Sequence, residues 1–69
     1  MSETLGRLLY LHRVSKGISQ RELAENVGVA ETTIWRIEHD RVTPTTDTLV
    51  ALSDALQIGI AKLIPDRKD

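Results

Sequence analysis

The stretch that begins at Ser19 constrains the fold more than any other part of the chain, because it reads as two short helices joined at Gly28. Ser19 can cap the first helix, and Glu22, three residues further on, can bond back to the cap. Gly28 lies where the chain must turn sharply, with a positive φ that glycine adopts at little cost. The pattern predicts helices over residues 20–27 and 31–39.

The second of these helices has one apolar side and one polar side. Ile34 and Ile37 fall at helical spacing on the side that faces back toward the first helix. The outer side is left to five residues, which are Glu31, Thr32, Thr33, Trp35 and Arg36. A short helix with a polar outer face can enter the major groove of DNA, so the stretch indicates a nucleic-acid-binding element.

Apolar residues at helical spacing predict three further helices, which are the first, fourth and fifth along the chain. The first covers residues 3–16, where the apolar stripe is wider than one packing face needs. It is either covered on two sides by its own domain or offers a partner surface that includes Tyr10. The fourth covers residues 46–57. A short final helix covers residues 58–64 before Pro65, and a polar tail follows from about residue 65.

A chain of 69 residues has room for a single domain, which we assign to residues 1–69. At this size about 60 % of the unfolded surface can be buried, so a partner chain would add stability. The chain has no cysteine, and His12 and His39 are scattered, so we expect no metal site. No apolar run approaches the roughly 20 residues of a membrane span, and we expect a cytosolic protein.

The net charge of the chain gives the least support to DNA binding. Nine basic and ten acidic residues give a net charge of -1. A DNA-binding domain is usually basic on at least one face. Binding would therefore depend on locally placed arginine and lysine side chains.

Short motifs follow one another in a fixed order from about residue 5 to residue 63. They are Arg13, Gly17-Ile18-Ser19-Gln20, Glu22-Leu23-Ala24, Val27-Gly28-Val29, Thr33-Ile34, Ile37-Glu38, Pro44, Leu49 and Ala55-Leu56. In this order they resemble the helix-turn-helix family of phage repressors and Cro proteins, also called the XRE family. The resemblance implies a bacterial or phage-encoded regulator of transcription that binds a palindromic operator as a homodimer. Its fold would be an all-α, compact five-helix domain with the helix-turn-helix at helices 2 and 3.

The resemblance also implies roles for individual residues. Base reading would fall to Glu31, Thr32 and Arg36, although Glu31 could equally be a charge that suits a helix N-terminus. Candidates for phosphate contacts are Gln20, Thr33, Arg41, Trp35, Arg21 and Lys16. For Lys16 and Arg21 the alternative is a solvated surface charge, and for Trp35 it is an exposed edge of the core or a protein contact. Arg13 and Glu38 look like a structural ion pair of the family.

Three positions depart from the family pattern. Ala30 stands where the family commonly has a capping Ser or Thr, and Asp40 stands where it commonly has Gly. Asp40 tolerates a left-handed backbone better than most residues do. His12 replaces an aliphatic residue, and we expect it to be partly buried rather than to act as a switch.

Apolar residues are concentrated near the C-terminus, where one small core would not absorb all of them. They are Leu56, Ile58, Ile60, Leu63 and Ile64, and we expect them to form a dimer interface. The alternative is that all five belong to the core of one chain.

Two other classes of function compete with DNA binding. One is a protein-binding module, such as an antitoxin-like partner, that uses Trp35, Tyr10, Leu8 and Leu11. The other is an enzyme. Asp47 and Asp54 share one helix face, but the sequence offers no nucleophile or metal set beside them, so we expect no enzyme, no cofactor and no small-molecule substrate.

Overall fold

The computed structural model describes residues 3–66 and contains only helices within that range. The α-helices are α1 (Leu5–Ser15), α2 (Gln20–Val27), α3 (Glu31–Glu38) and α4 (Thr46–Leu56), and a 3-10 helix follows at Ile60–Leu63. The all-α fold and the first four helices are thus confirmed, with ends within two residues of the predicted ones. Of the predicted polar tail, residues 67–69 lie outside the described residues.

The expected fifth helix is a 3-10 helix of four residues rather than an α-helix. Its backbone bonds join residues three apart. The Lys62 N–H donates to the Gly59 carbonyl at 2.9 Å, and the Ile64 N–H donates to the Ala61 carbonyl at 3.2 Å. Pro65 explains the early end, because proline disfavours a helical backbone at the preceding residue, and Ile64 is extended with φ -95 and ψ 121.

Side-chain caps begin three of the four α-helices. Thr4, Ser19 and Thr45 each accept a hydrogen bond from the backbone N–H three residues later, at 3.1, 3.0 and 3.2 Å. The exception is α3, because Ala30 occupies its cap position and has no side-chain oxygen to accept a bond. Gly28 ends α2 with φ 86, which confirms the turn that the sequence predicts.

One hydrophobic core lies where the helices meet. Its buried members come from every helix and are Leu9, Leu23, Ala24, Ile34, Ile37, Leu52, Leu56 and Leu63. Only one side of the apolar stripe of α1 packs into it. Tyr10, Leu11 and Val14 are 39 %, 40 % and 48 % exposed, so the domain does not cover α1 on both sides.

Two residues that the sequence assigns to a dimer interface belong to this core instead. Leu56 and Leu63 have no exposed surface, so neither can contact a second chain. Ile58 packs against the core and is half-buried. The 3-10 helix explains the difference, because it folds the end of the chain back so that Leu63 points inward while Ile60 and Ile64 stay exposed.

Replacing Ala30 by Ser should stabilise the domain, because the serine hydroxyl would supply the cap that α3 lacks. Residue 30 already has the extended backbone of a cap, with φ -72 and ψ 150. We expect a gain of about 1 kcal/mol in the free energy of unfolding. Thermal unfolding followed by circular dichroism measures it, with Thr45→Ala as the matched loss of a cap. An unchanged or lower melting temperature for Ala30→Ser would contradict the assignment.

Candidate nucleic-acid interface

The outer face of α3 is open to solvent while its inner face is fixed in the core. Ile34 and Ile37 are 0 % and 1 % exposed, which fixes the rotation of this short helix about its axis. Glu31, Thr32 and Arg36 are exposed on the opposite side, as the sequence predicts. The arrangement gives a rigid platform with three side chains that carry hydrogen-bonding groups.

A buried ion pair ties α3 to α1. Arg13 Nε donates to Glu38 Oε2 at 2.5 Å and Arg13 Nη2 donates to Glu38 Oε1 at 3.1 Å, so the contact is bidentate. The two side chains are only 10 % and 2 % exposed. Arg13 Nη1 also donates to the Ile18 carbonyl at 2.7 Å, which adds the entrance of α2 to the same unit. The ion pair of Arg13 and Glu38 that the resemblance implies is therefore present and almost fully buried.

Gln20, the first residue of α2, also contacts this ion pair. Its Nε2 donates to Glu38 Oε1 at 2.9 Å. A primary amide carries two hydrogens on this nitrogen, so the second stays available for another acceptor. Gln20 also lines an open pocket of about 290 Å³ together with Glu31, Thr32 and Trp35. The structure thus brings the predicted phosphate contact Gln20 and two predicted base contacts to one surface.

Trp35 belongs to a stack that the sequence did not reveal. Its ring lies against the His39 ring, with centroids 4.0 Å apart and planes 19° from parallel. The Arg41 guanidinium carbon lies 5.9 Å from the centre of the Trp35 ring on a loop that follows α3. Trp35 is 40 % exposed, so the stack is a surface feature. The spacing of four residues between Trp35 and His39 was the signal that could have found it.

Asp40 fastens the end of α3 to the start of α1. Its backbone has φ 57, so the left-handed conformation expected at this position is present. Its carboxylate accepts a hydrogen bond from Thr4 Oγ1 at 2.7 Å and another from the Gly6 N–H at 3.2 Å. A Cβ at Gly6 would lie 2.7 Å from the Glu38 carbonyl oxygen, so this close approach requires glycine. Sequence reasoning missed these contacts, although a glycine early in a predicted helix was a usable signal.

The remaining residues that were predicted to contact phosphates have fewer contacts that fix their side chains. Thr33 is half-buried on α3, and Lys16 is exposed at the end of α1. Arg21 lies 3.6 Å from Glu25 in an ion pair whose side chains are 77 % and 69 % exposed. Such an exposed pair is worth little and leaves the arginine able to exchange partners. The structure therefore places Gln20 and Arg41 beside the α3 surface more firmly than Lys16 or Arg21.

The sequence model described as helix-turn-helix matches residues 9–63, which covers α2, α3 and α4 completely. The chain belongs to the XRE-type helix-turn-helix family. This family consists of DNA-binding regulators and not of enzymes.

Solved structures of XRE-type proteins superpose closely on this chain. The P22 c2 repressor in complex with synthetic operator 9T is 30 % identical with a TM-score of 0.86, and the match covers 91 % of this chain and 96 % of the repressor chain. The restriction-modification controller protein C.AhdI from Aeromonas hydrophila is 27 % identical with a TM-score of 0.85, covering 87 % and 91 %. SinR, a master regulator for biofilm formation solved in complex with DNA, is 33 % identical with a TM-score of 0.82, covering 87 % and 97 %. A comparison with curated proteins finds no match.

Residues 3–66 contain neither a membrane-spanning helix nor a metal-binding cluster. No helix there has the length and apolar character that crossing a membrane requires. Within the same residues, no group of three or more His, Cys, Asp or Glu side chains is arranged to hold a metal ion.

Removing one partner of the buried ion pair should destabilise the domain strongly. Glu38→Ala would leave the Arg13 guanidinium buried without its counter-charge, at a cost of about 3–5 kcal/mol. Glu25→Ala is the matched control, because it removes an acid from the exposed pair with Arg21 and should leave stability nearly unchanged. Urea unfolding followed by circular dichroism compares the two. Equal midpoints for Glu38→Ala and Glu25→Ala would contradict a structural role for the pair.

Proposed function

We propose that the protein is a sequence-specific regulator of transcription that binds a palindromic operator as a homodimer, with α3 in the major groove. The observation that supports this most is the exposed polar face of α3, held in place by the buried Arg13–Glu38 pair and by the hydrogen bond from Gln20 to Glu38. A reading helix must be rigid, because each base contact depends on a side chain that reaches one base edge. The P22 c2 repressor and SinR structures contain DNA, which supports the same partner for this chain.

Each exposed polar side chain of α3 suits a different base edge. Arg36 can donate two hydrogen bonds to guanine O6 and N7, which is worth about 1–3 kcal/mol of discrimination. Glu31 can only accept, so cytosine N4 is its natural partner, and it adds specificity more than affinity. Thr32 can touch the methyl group of thymine or bond to an adjacent acceptor. The three residues together would read one half-site.

Contacts to phosphates would come from the border of this surface. Gln20 offers its second amide hydrogen at the start of α2, where backbone N–H groups also favour an anion. Thr33 and Trp35 lie on α3, and Arg41 follows it in the loop. Arg21 and Lys16 would add weaker contacts at the edge. Because cationic side chains release counterions from the phosphates that they contact, we expect binding to weaken as salt rises.

The dimer would form through the apolar surface that the core leaves exposed near the C-terminus. Ile60 and Ile64 are 39 % and 48 % exposed, and half-buried Ile58 lies beside them in sequence. A two-fold dimer would place its two recognition helices roughly 34–36 Å apart, so half-site centres should be about 10 base pairs apart. Such a regulator would act where the DNA is, in the cytoplasm of a bacterial cell.

A protein-binding role is the second candidate. The observation that favours it is the exposed apolar side of α1, where Tyr10, Leu11 and Val14 lie apart from the core. Leu8, which the sequence also assigns to such a surface, is half-buried against the core. Trp35 would be the contact on α3. An apolar protein interface responds weakly to salt, which distinguishes it from a DNA complex.

Selection of bound sites from a random duplex library tests the DNA-binding role. The wild type should enrich a palindrome with half-site centres about 10 base pairs apart. A Glu31→Ala, Thr32→Ala, Arg36→Ala triple variant should lose or broaden that preference, because it removes the base contacts. A matched triple variant at exposed positions outside α3, Glu25→Ala, Asn26→Ala and Asp54→Ala, should select the wild-type palindrome. No enriched sequence with the wild type, or an unchanged palindrome with the α3 variant, would contradict the proposal.

Charged substitutions in the C-terminal apolar surface should weaken the dimer. We expect an Ile60→Glu, Ile64→Glu double variant to sediment as a monomer and to bind the palindrome more weakly than the wild type. Leu11→Glu, Val14→Glu is a closely matched control, because these residues are 40 % and 48 % exposed and lie on α1. Loss of the dimer in the α1 variant, with retention in the C-terminal one, would assign the interface to α1 instead.

A further inference from the structure

We propose that an open pocket at the end of α3 binds a backbone phosphate of the operator through Arg7 and protonated His39. The proposal rests on the DNA-binding function above and adds two contacts and a pH dependence to it. The pocket has a volume of about 380 Å³. It is lined by Arg7, Tyr10, Gln20, Glu38, His39 and Asp40.

The pocket lies next to the exposed face of α3 that would contact bases. It lies where α1, the start of α2 and the end of α3 meet. Gln20 lines this pocket and also the neighbouring one that contains Glu31 and Thr32. A DNA backbone that passes Gln20 on the border of the α3 surface would therefore also pass His39 and Arg7.

Both acidic residues of the pocket already accept hydrogen bonds from the protein itself, and Arg13 balances the charge of Glu38. Glu38 accepts hydrogen bonds from Arg13 and Gln20, and Asp40 accepts bonds from Thr4 and the Gly6 N–H. Within residues 3–66 Arg7 makes no salt bridge, and its guanidinium carbon lies 5.4 Å from the centre of the Tyr10 ring. The aromatic face holds this cation at the pocket without using its hydrogen-bond donors. The pocket thus has donors to offer an anion.

The chemistry of His39 follows from its contact with the backbone. His39 Nδ1 lies 2.8 Å from the Trp35 carbonyl oxygen, which can only accept, so Nδ1 carries a hydrogen. In the neutral ring Nε2 then has a lone pair and repels a phosphate oxygen. In the protonated ring Nε2 becomes a donor with a positive charge, and the stack on Trp35 keeps the ring in place.

Charged and polar groups from three helices lie near His39. Arg7 and Tyr10 of α1 and Gln20 of α2 line the same pocket, and Arg36, Glu38, Asp40 and Arg41 belong to the segment of His39. A phosphate oxygen placed at Nε2 interacts favourably only with a ring that carries a hydrogen there. The phosphate complex therefore favours the protonated form. Affinity should rise as the pH falls, because only the protonated ring donates from Nε2.

Salt dependence at two pH values tests the proposal with the full chain and its selected duplex. Each phosphate contact steepens the plot of log K against log salt by about 0.9, and a dimer carries two His39 side chains. The wild-type slope should thus be steeper by about two at pH ~5.5 than at pH ~8. Fluorescence anisotropy gives the affinities, and circular dichroism at both pH values shows that the helices persist.

Three variants separate His39 from other titrating groups. His39→Gln should show one slope at both pH values, and His39→Arg should show the steeper slope at both. His12→Gln should keep the wild-type difference, because His12 lies on α1 and outside the pocket.

Arg7→Gln tests the second contact of the pocket and should reduce the slope by about two per dimer at both pH values.

The outcomes distinguish this inference from the function on which it rests. A wild type that binds no duplex at either pH overturns the proposed function and this inference together. Tight binding with a slope that does not change with pH overturns the His39 contact alone. A pH-dependent slope that His39→Gln retains, or that His12→Gln loses, overturns it as well.

Discussion

The buried contact between Arg13 and Glu38 is the interaction on which the arrangement of the other elements depends. It joins α1 to the last residue of α3, and through Ile18 and Gln20 it also holds the entrance of α2. A buried ion pair contributes less to net stability than its geometry suggests, because both charges lose their hydration. Its main effect here is positional. Three helices meet at one carboxylate, and the outer face of α3 takes its orientation from that point.

Local signals account for most of the fold that the sequence could predict. Ser19 and Gly28 mark the ends of α2, and the apolar spacing marks the inner faces of all four α-helices. The pairing of Arg13 with Glu38 came only from the resemblance, because no local pattern relates residues 25 positions apart. The hydrogen bonds that Thr4 and Gly6 donate to Asp40 were not predicted, for the same reason. Leu56 and Leu63 were misassigned because apolar character alone does not tell a core from an interface.

Net charge was a poor guide to the chemistry of the surface. A chain with net charge -1 can still offer cationic groups to DNA when its acids are already engaged. Glu38 and Asp40 lie beside the end of α3, yet both accept hydrogen bonds from within the domain. Arg7 and Gln20, which line the same pocket, are hydrogen-bond donors. Summed charge treats engaged and available groups alike, and only the structure separates them.

Amide chemical shifts measured during titration with the selected duplex test most directly whether α3 is the element that enters DNA. We expect the largest changes at Glu31, Thr32 and Arg36 and at the start of α2, with a smaller set at the end of α3. Residues on the exposed side of α1, such as Leu11 and Val14, should stay unchanged. Changes confined to α1, with α3 unaffected at saturating duplex, would contradict the proposed orientation.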